Sequence, residues 1–254
     1  MRFQVYLPSG ELLPYVKHLV ISENENAAAY TVMPDIALVI GFQYRGRLAY
    51  QDGNKEMPLD TMGVTGLRDT YRTFQNTAGI GTVLVVFREN GAASFLKTPL
   101  HELFGESLSL DHFFDRQLLA DLEDQLVFAD GDLPRIRLVE NFLLHYLQQR
   151  PSDLLVSQAL HYIHSSKGTI RIQELTSLLN ISASPLEKRF RQEVGASPKK
   201  FATIVRARNV LIAMENGQQN YAAYLSAFYD QAHFIKDFKK FASVTPEQYL
   251  KRLK

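Results

Sequence analysis

The stretch AFYDQAHFIKDFKKF, residues 227–241, decides how the second half of the chain folds. Phe234, Phe238 and Phe241 recur at positions i, i+4 and i+7, which places their side chains on one face of a helix. Three lysines lie between them and point to other sides of that helix. A helix with an aromatic face and a basic face suits docking onto a polyanion. For one such segment alone, an ordinary solvated surface helix is the competing interpretation.

The same pattern occurs 48 residues upstream, so the second half contains a repeat. RFRQEVGASPKKF at 189–201 aligns with DFKKFASVTPEQY at 237–249, and this places Phe190 on Phe238 and Pro198 on Pro246. Each copy predicts two short helices around a tight turn, which is a helix-turn-helix. We expect the first motif at about 172–194, the second at about 221–241, and a linker helix at about 198–214 between them.

Residues typical of helix starts support these boundaries. Ser182 stands where it can cap the second helix of the first motif, after a tight turn at Asn180 and Ile181. Thr245 with Gln248 three residues later fits a capping box. The sequence therefore predicts an all-α domain at 151–254.

The first half has a different pattern, with short strands separated by Gly, Pro, Asp and Asn up to about Phe87. It predicts a β-rich domain at 1–150, a sandwich or small barrel with trailing helices, so the chain as a whole is α+β. A later helix at Pro134–Gln149 carries an apolar stripe that either packs into the core or forms a dimer contact. The candidate strands are Tyr30–Met33, Ile36–Phe42, Arg47–Gln51, Thr61–Val64, Tyr71–Gln75 and Thr82–Phe87.

Charge separates the two halves, although the whole chain carries a formal net charge of only +1. Residues 1–150 carry a net charge of −6 and residues 151–254 a net charge of +7. This division suggests two tasks, one of which involves nucleic acid or another anion. The longest apolar run is too short to cross a bilayer and the N-terminus lacks a signal-peptide core, so we expect a cytoplasmic protein without membrane contact.

The sequence contains no pattern that predicts an enzyme, a cofactor or a metal site. Cysteine is absent, which excludes disulfides, thiolate ligands and cysteine nucleophiles. Neither a Gly-x-Ser-x-Gly elbow nor a phosphate-binding loop nor a paired metal-ligand spacing occurs. Aromatic and arginine side chains in the β-rich half can line an effector pocket, or they can simply belong to the core and surface of the sheet. The pocket candidates are Phe42, Tyr44, Tyr50, Arg68, Tyr71 and Phe74, with Arg72 beside them.

Five ordered motifs make residues 154–254 resemble the DNA-binding domain of the AraC/XylS family of bacterial transcription regulators. They are LTSLLNIS at 175–182, LEKRF at 186–190, GASP at 195–198, FYDQAHF at 228–234 and TPEQY at 245–249. More weakly, the first half resembles the sensor domains of this family. The resemblance implies a regulator that binds double-stranded DNA, responds to a small-molecule effector or a partner, forms a homodimer in some members, and contacts RNA polymerase if it is an activator.

The resemblance also implies roles for individual side chains, because the second helix of each motif enters the major groove in this family. Base-reading roles fall on Ser184, Glu187, Lys188, Gln231, His233 and Lys236. Phosphate contacts, which position the protein without specifying sequence, fall on Arg189, Arg191, Lys199, Lys200, Lys239 and Lys240. Glu187 has an alternative role, since it can form an i,i+4 ion pair with Arg191 on the helix surface.

The second motif departs from the family pattern in its first helix. Ala227 stands where Gly is usual, and Ala222 and Ser226 stand where apolar residues are usual. We therefore expect the second motif to bind DNA less tightly than the first. The same departures motivate an alternative function, a sensor or protein-interaction module whose DNA-binding domain has partly degenerated.

Overall fold

The β-rich half consists of two antiparallel sheets. The computed structural model describes residues 1–216 and 231–253 of the chain. One sheet has six strands in the order β1-β2-β9-β4-β7-β10, and the other has four in the order β3-β8-β5-β6. The strands are β1 (Arg2–Tyr6), β2 (Val16–Asn24), β3 (Ala28–Val32), β4 (Val39–Arg45), β5 (Leu48–Asp52), β6 (Lys55–Pro58), β7 (Met62–Thr65), β8 (Arg72–Asn76), β9 (Ile80–Phe87) and β10 (Ser107–Ser109).

All six strands predicted from the sequence are present, with shifted ends. The predicted strand at Ile36–Phe42 begins only at Val39, because Ile36 instead packs against the helical half. The Asp52-Gly53-Asn54 hairpin turn is confirmed: Asp52 pairs with Lys55, and Gly53 has a φ of +59° that suits glycine. Four further strands, β1, β2, β6 and β10, lie outside the predicted set.

The large sheet packs one face against helices that follow it in the chain. Short 3-10 turns at Gly91–Ser94, Leu100–Leu103 and Leu110–His112 lead to α1 (Arg116–Phe128) and α2 (Asp132–Tyr146). The stripe on α2 is confirmed as intramolecular core: Val139 and Leu143 are fully buried, and the ring of Phe142 lies 5.9 Å from that of Phe42 in a T-shaped pair. The stripe is thus used inside the chain and gives no support to a dimer contact.

The second half is helical throughout its described residues. Its helices are α3 (Leu154–Ser165), α4 (Ile172–Leu178), α5 (Ala183–Val194), α6 (Pro198–Glu215), α7 (Gln231–Ala242) and α8 (Pro246–Leu253). The side chains on α5, α6 and α7 meet in one hydrophobic cluster, in which Phe190 contacts Phe201 with ring centroids 5.5 Å apart. The α+β architecture is therefore as expected. No helix in the described ranges is long and apolar enough to cross a bilayer.

The two hydrophobic clusters separate close to the predicted boundary at residue 150, although the boundary itself stays a prediction. The first cluster contains residues from Leu12 to Leu143, and the second is built mainly on α3–α8. Ile36 and Leu67 of the β-rich half belong to the second cluster, and Phe104 packs against it. The two halves are thus joined by apolar side chains as well as by the charged contacts described below.

Candidate nucleic-acid interface

The first helix-turn-helix is formed by α4 and α5, as the sequence predicted. Leu175 anchors α4 in the core, and Asn180 makes the turn with a left-handed φ of +50°, which Asn tolerates better than most residues. Leu186 and Phe190 bury one side of α5. Ser182 occupies the cap position of α5 with extended backbone, but its side chain makes no capping hydrogen bond.

The opposite side of α5 is open and polar. We call this side, which carries Ser184, Glu187, Lys188 and Arg191, the polar face of α5. Ser184, Lys188 and Arg191 are exposed, as the proposed role in DNA contact requires. A groove of about 420 Å³ runs along this face, and its other wall is provided by His101 of the β-rich half.

Glu187 forms the ion pair that was the alternative to base reading. Its carboxylate accepts a hydrogen bond from Arg191 Nε at 2.8 Å and lies 2.7 Å from Arg191 Nη2. The two side chains are about half exposed, so the pair is weak and DNA can replace it. Base reading by Glu187 and phosphate contact by Arg191 stay predictions. Arg189 lies near Asp153, with 3.6 Å between Nη1 and the carboxylate.

The linker helix α6 connects the first motif to the described part of the second. It begins where the sequence predicted, with Ser197 Oγ accepting a hydrogen bond from the Lys200 amide at 3.2 Å and Pro198 in the first turn. Tyr249 of α8 donates a hydrogen bond of 2.6 Å to Glu215 at the other end of α6. Lys199 and Lys200 project from the first turn of α6 and are exposed.

In the second motif, the described part is α7 with the capped helix α8 behind it. Phe234, Phe238 and Phe241 are buried, which confirms the aromatic face, whereas Lys236, Lys239 and Lys240 are exposed. The predicted capping box is present: the Gln248 amide donates to Thr245 Oγ1 at 3.3 Å, and the Thr245 amide donates to Gln248 Oε1 at 3.0 Å.

Several predictions on the second motif fall on residues that the structure does not describe. The side chains of Gln231 and His233 and the predicted first helix from residue 221 lie outside the described residues. The same applies to Ala222, Ser226 and Ala227, the departures that motivated the protein-interaction alternative. A different irregularity is visible at Ser243, which aligns with Gly195 of the first copy. Ser243 has a φ of +67°, where Gly195 has +93°.

Two of the predicted phosphate-contacting lysines are bound to a carboxylate of the β-rich half. Lys240 donates a hydrogen bond of 2.9 Å to Asp69, and Lys200 Nζ lies 3.5 Å from the same oxygen. Burial of Asp69 opposes its ionisation, but the hydrogen bond from Lys240 and the charges of both lysines hold its pKa below the ordinary value. Lys200 also lies 4.3 Å from the ring centroid of Phe104. Asp69 thus links the first turn of α6 and the last turn of α7 to the β-rich half.

No sequence motif predicts these contacts between the two halves. Asp69 and Lys240 are 171 residues apart, and an isolated aspartate after an arginine forms no motif. A second such contact joins Arg208 of α6 to Asp35, at 3.1 Å. The opposite net charges of the two halves indicated that they could attract each other, but they did not identify which residues form ion pairs.

The structure does not bring the six predicted pocket residues together. Phe42 is fully buried on the helix side of the large sheet, and Tyr44 on the same side donates a hydrogen bond of 2.9 Å to Glu23. Phe42 and Tyr44, which are two residues apart on β4 and share a face, therefore pack in the core, the alternative that the sequence left open for them. Tyr71 is exposed and lies directly before β8.

The remaining three candidates, Tyr50, Arg68 and Phe74, do lie near one another. Tyr50 and Phe74 are directly paired across β5 and β8, so their side chains share one face of the small sheet. The guanidinium of Arg72, two residues before Phe74, lies 3.9 Å from the centroid of the Tyr50 ring. Arg68 is buried, and the charge of Arg72 acts on it.

Comparison with known proteins finds a matching family model for each half of the chain. Residues 175–252 match the model of a helix-turn-helix domain family, and residues 4–109 match the model of a domain of unknown function (DUF6597). The chain is 28% identical over 159 residues to the Msm operon regulatory protein of Streptococcus mutans, which covers 60% of this chain and 56% of that protein. It is 31% identical over 122 residues to the xylose operon regulatory protein of Escherichia coli K12, which covers 46% of this chain and 30% of that protein.

The helical half of this chain belongs to the AraC/XylS family. This confirms the resemblance drawn from the five sequence motifs. A solved structure of ToxT from Vibrio cholerae aligns with 99% of this chain and 98% of its own, at 12% identity and a TM-score of 0.46. The matched region spans between 30% and 56% of the named AraC/XylS relatives, whose remaining parts have no counterpart in the alignments.

Proposed function

We propose that this chain is a sequence-specific DNA-binding transcription regulator that responds to an effector or partner through its β-rich half. The observation that carries the proposal is the polar face of α5. It presents Ser184, Lys188 and Arg191 to solvent on a helix whose other side is fixed in the core, as a helix that enters the major groove requires. The relatives named as operon regulators support the same function.

Base reading and backbone contact divide among the side chains by chemistry. Lys188 is suited to guanine O6 and N7, whereas Lys199 and Lys239 are suited to phosphates. Lys236 has the corresponding position on α7 and is exposed. The excess positive charge of the helical half predicts that the affinity for DNA falls steeply as salt increases.

Contact between the halves offers a route for regulation. Asp69 pairs with both Lys200 and Lys240, two cations assigned here to DNA phosphates. His101 lies along the groove beside the polar face of α5. DNA phosphates compete with Asp69 for these lysines. An effector that displaces the loop around Asp69 therefore raises the affinity for DNA.

A gel shift with the DNA upstream of the chain's own gene tests the proposal. Specific binding at moderate salt, with a footprint and with loss of affinity in Lys188→Ala, is the expected result. Lys55→Ala is the matched control, because Lys55 is an exposed lysine on β6 of the small sheet. Equal affinity for random DNA, or a tight protein partner without a footprint, would instead support a protein-interaction module.

The further partners stay proposals with their own tests. The α2 stripe is packed inside the chain and does not support the proposal of a homodimer. Light scattering at increasing protein concentration measures the oligomeric state directly. Contact with RNA polymerase applies if the chain activates transcription, which an in vitro transcription assay on the footprinted promoter decides.

A further inference from the structure

A buried arginine without an acceptor lies in the loop between β7 and β8. The side chain of Arg68 belongs to a residue only 8% exposed, and its Nη2 is fully buried with no hydrogen-bond partner. Arg68 forms no ion pair with the residues that the structure describes. Burial of a charged side chain away from water costs free energy unless an opposite charge lies beside it. The charge of Arg68 is therefore not balanced by an acidic side chain within the described residues.

A second guanidinium adjoins the first and is oriented by the protein. Arg72 on β8 donates hydrogen bonds of 2.7 Å to Ser107 Oγ and to the Gly105 carbonyl, and it lies against the ring of Tyr50. Burial, and then the charge of Arg72, lower the pKa of Arg68 to about 10, so Arg68 stays charged at neutral pH. The charge of Glu106 acts on both arginines, but its side chain is exposed and forms no ion pair with either of them in the described residues.

Aromatic side chains lie beside this pair of arginines. Tyr30, Phe74 and Tyr50 form a row across β3, β8 and β5 on the face that meets the large sheet, and the rings of Tyr30 and Phe74 stack with centroids 6.0 Å apart. These side chains are only partly buried, unlike those on the helix side of the large sheet. A cavity of about 40 Å³ is lined in part by Tyr30 on the small sheet and Leu84 on the large sheet, which shows that this face of the row meets the large sheet; Arg68 and Arg72 do not line that cavity.

We propose that Arg68 and Arg72 bind an organic carboxylate between the two sheets, with its carboxylate on Arg68 and its apolar part along Tyr50 and Phe74. A carboxylate matches the planar fork of a guanidinium with two parallel hydrogen bonds. The aromatic row favours an organic ligand over an inorganic anion, because only an organic ligand has an apolar part that can pack against these rings. This proposal rests on the proposed function only where it identifies the bound carboxylate as the effector of the regulator.

Benzoate is the probe for the proposed site. Benzamide serves as a neutral control of similar shape, and inorganic phosphate serves as a control anion without an apolar part. Binding to the full chain is measured by calorimetry and by the thermal unfolding midpoint at constant ionic strength. We expect benzoate to bind and to raise the midpoint, and benzamide and phosphate to do neither. Arg68→Met keeps the length of the side chain without its charge, and we expect it to weaken benzoate binding by roughly ten- to a hundredfold, as loss of charge-assisted hydrogen bonds implies.

Arg116→Met is the matched control. Arg116 is an exposed arginine at the start of α1 whose side chain is 83% exposed, and its loss leaves benzoate binding unchanged. Equal binding of benzoate and benzamide to the unmodified chain overturns the proposal without any variant, so it stays testable even if Arg68→Met does not fold. Undiminished benzoate binding in Arg68→Met, or Arg68-dependent binding of phosphate alone, also overturns it.

The DNA-binding assay separates this proposal from the proposed function. If the chain binds benzoate through Arg68 but shows no specific DNA binding, the carboxylate site stands and the regulator function fails. If the chain binds its upstream DNA but not benzoate, the regulator function stands and the carboxylate site is refuted.

Discussion

Replacement of Asp69 by Asn tests whether the β-rich half restrains DNA binding. Asp69 holds both Lys200 and Lys240, at 3.5 Å and 2.9 Å from one carboxylate oxygen. Asn keeps the size of the side chain but removes the charge that attracts the two lysines. If DNA phosphates compete for those lysines, Asp69→Asn binds upstream DNA more tightly than the unmodified chain does.

The magnitude follows from the exposure of the three side chains. Asp69 is 26% exposed at its side chain, whereas Lys200 and Lys240 are 44% and 52% exposed, so solvent screens both pairs. Exposed pairs contribute about 0.2–1 kcal/mol each, which gives about 1 kcal/mol for the two together. A change of about 1 kcal/mol corresponds to roughly a fivefold gain in DNA affinity. The gain shrinks at higher salt, since salt screens exposed ion pairs.

Fluorescence anisotropy with the footprinted duplex measures this gain. Asp111→Asn is the matched control, because Asp111 loses the same charge but pairs with Arg116 inside the β-rich half. A second test repeats Asp69→Asn in a Lys200→Ala, Lys240→Ala background, where the gain must vanish. The reasoning is refuted if Asp69→Asn binds DNA no more tightly than Asp111→Asn, or if the gain persists without the two lysines.

The sign of the pH dependence follows from the lowered pKa of Asp69. Because its pKa is lower in the folded chain than in the unfolded chain, the ion pairs stabilise the fold above the ordinary carboxylate pKa of about 4. This stabilisation is lost as the pH falls through the folded-state value. The difference in unfolding free energy between the unmodified chain and Asp69→Asn is therefore constant near neutral pH and shrinks in acid.

Three further predictions concern the helical half. Lys236→Ala reduces DNA affinity less than Lys188→Ala does, if the second motif binds less tightly than the first, and anisotropy on one duplex compares them; a larger loss at Lys236 contradicts this order. Ser243→Gly stabilises the fold by about 0.5–1 kcal/mol in chemical denaturation, since the left-handed φ of +67° suits glycine; an unchanged midpoint would show that the turn is unstrained. Phe190→Ala destabilises by about 3–5 kcal/mol, because its ring is fully buried against Phe201, and a loss below about 1 kcal/mol would argue against this packing.

The helical half was predictable because its signals are local. The capping box at Thr245 and Gln248, the aromatic spacing of Phe234 and Phe238, and the Asn180 turn each involve residues within a few positions of one another. Their geometry is fixed by the chain itself, so periodicity and cap chemistry locate them closely. The repeat then identified the two copies as equivalent units.

The β-rich half was less predictable because its strands depend on distant partners. β2 lies between β1 and β9, and Val20 pairs with Leu84, 64 residues away. Its sequence, with Lys17 and His18 near its start, shows no regular alternation that would mark a half-buried strand. The core position of Phe42 and Tyr44 was not predictable for a related reason: aromatic content does not reveal which face of a sheet a side chain occupies, and both lie in the core on the helix side.

Three consecutive residues connect the separate proposals physically. Leu67 is buried in the core of the helical half, Arg68 is buried beside Arg72, and Asp69 holds Lys240. A ligand that draws the Arg68 side chain toward itself acts on a loop whose neighbours on both sides are bound to the other half. Packed interfaces respond to such shifts by exchanging one set of contacts for another rather than by stretching. The 67–69 loop thus connects the proposed carboxylate site to Lys200 and Lys240, the two lysines that we propose for DNA phosphates.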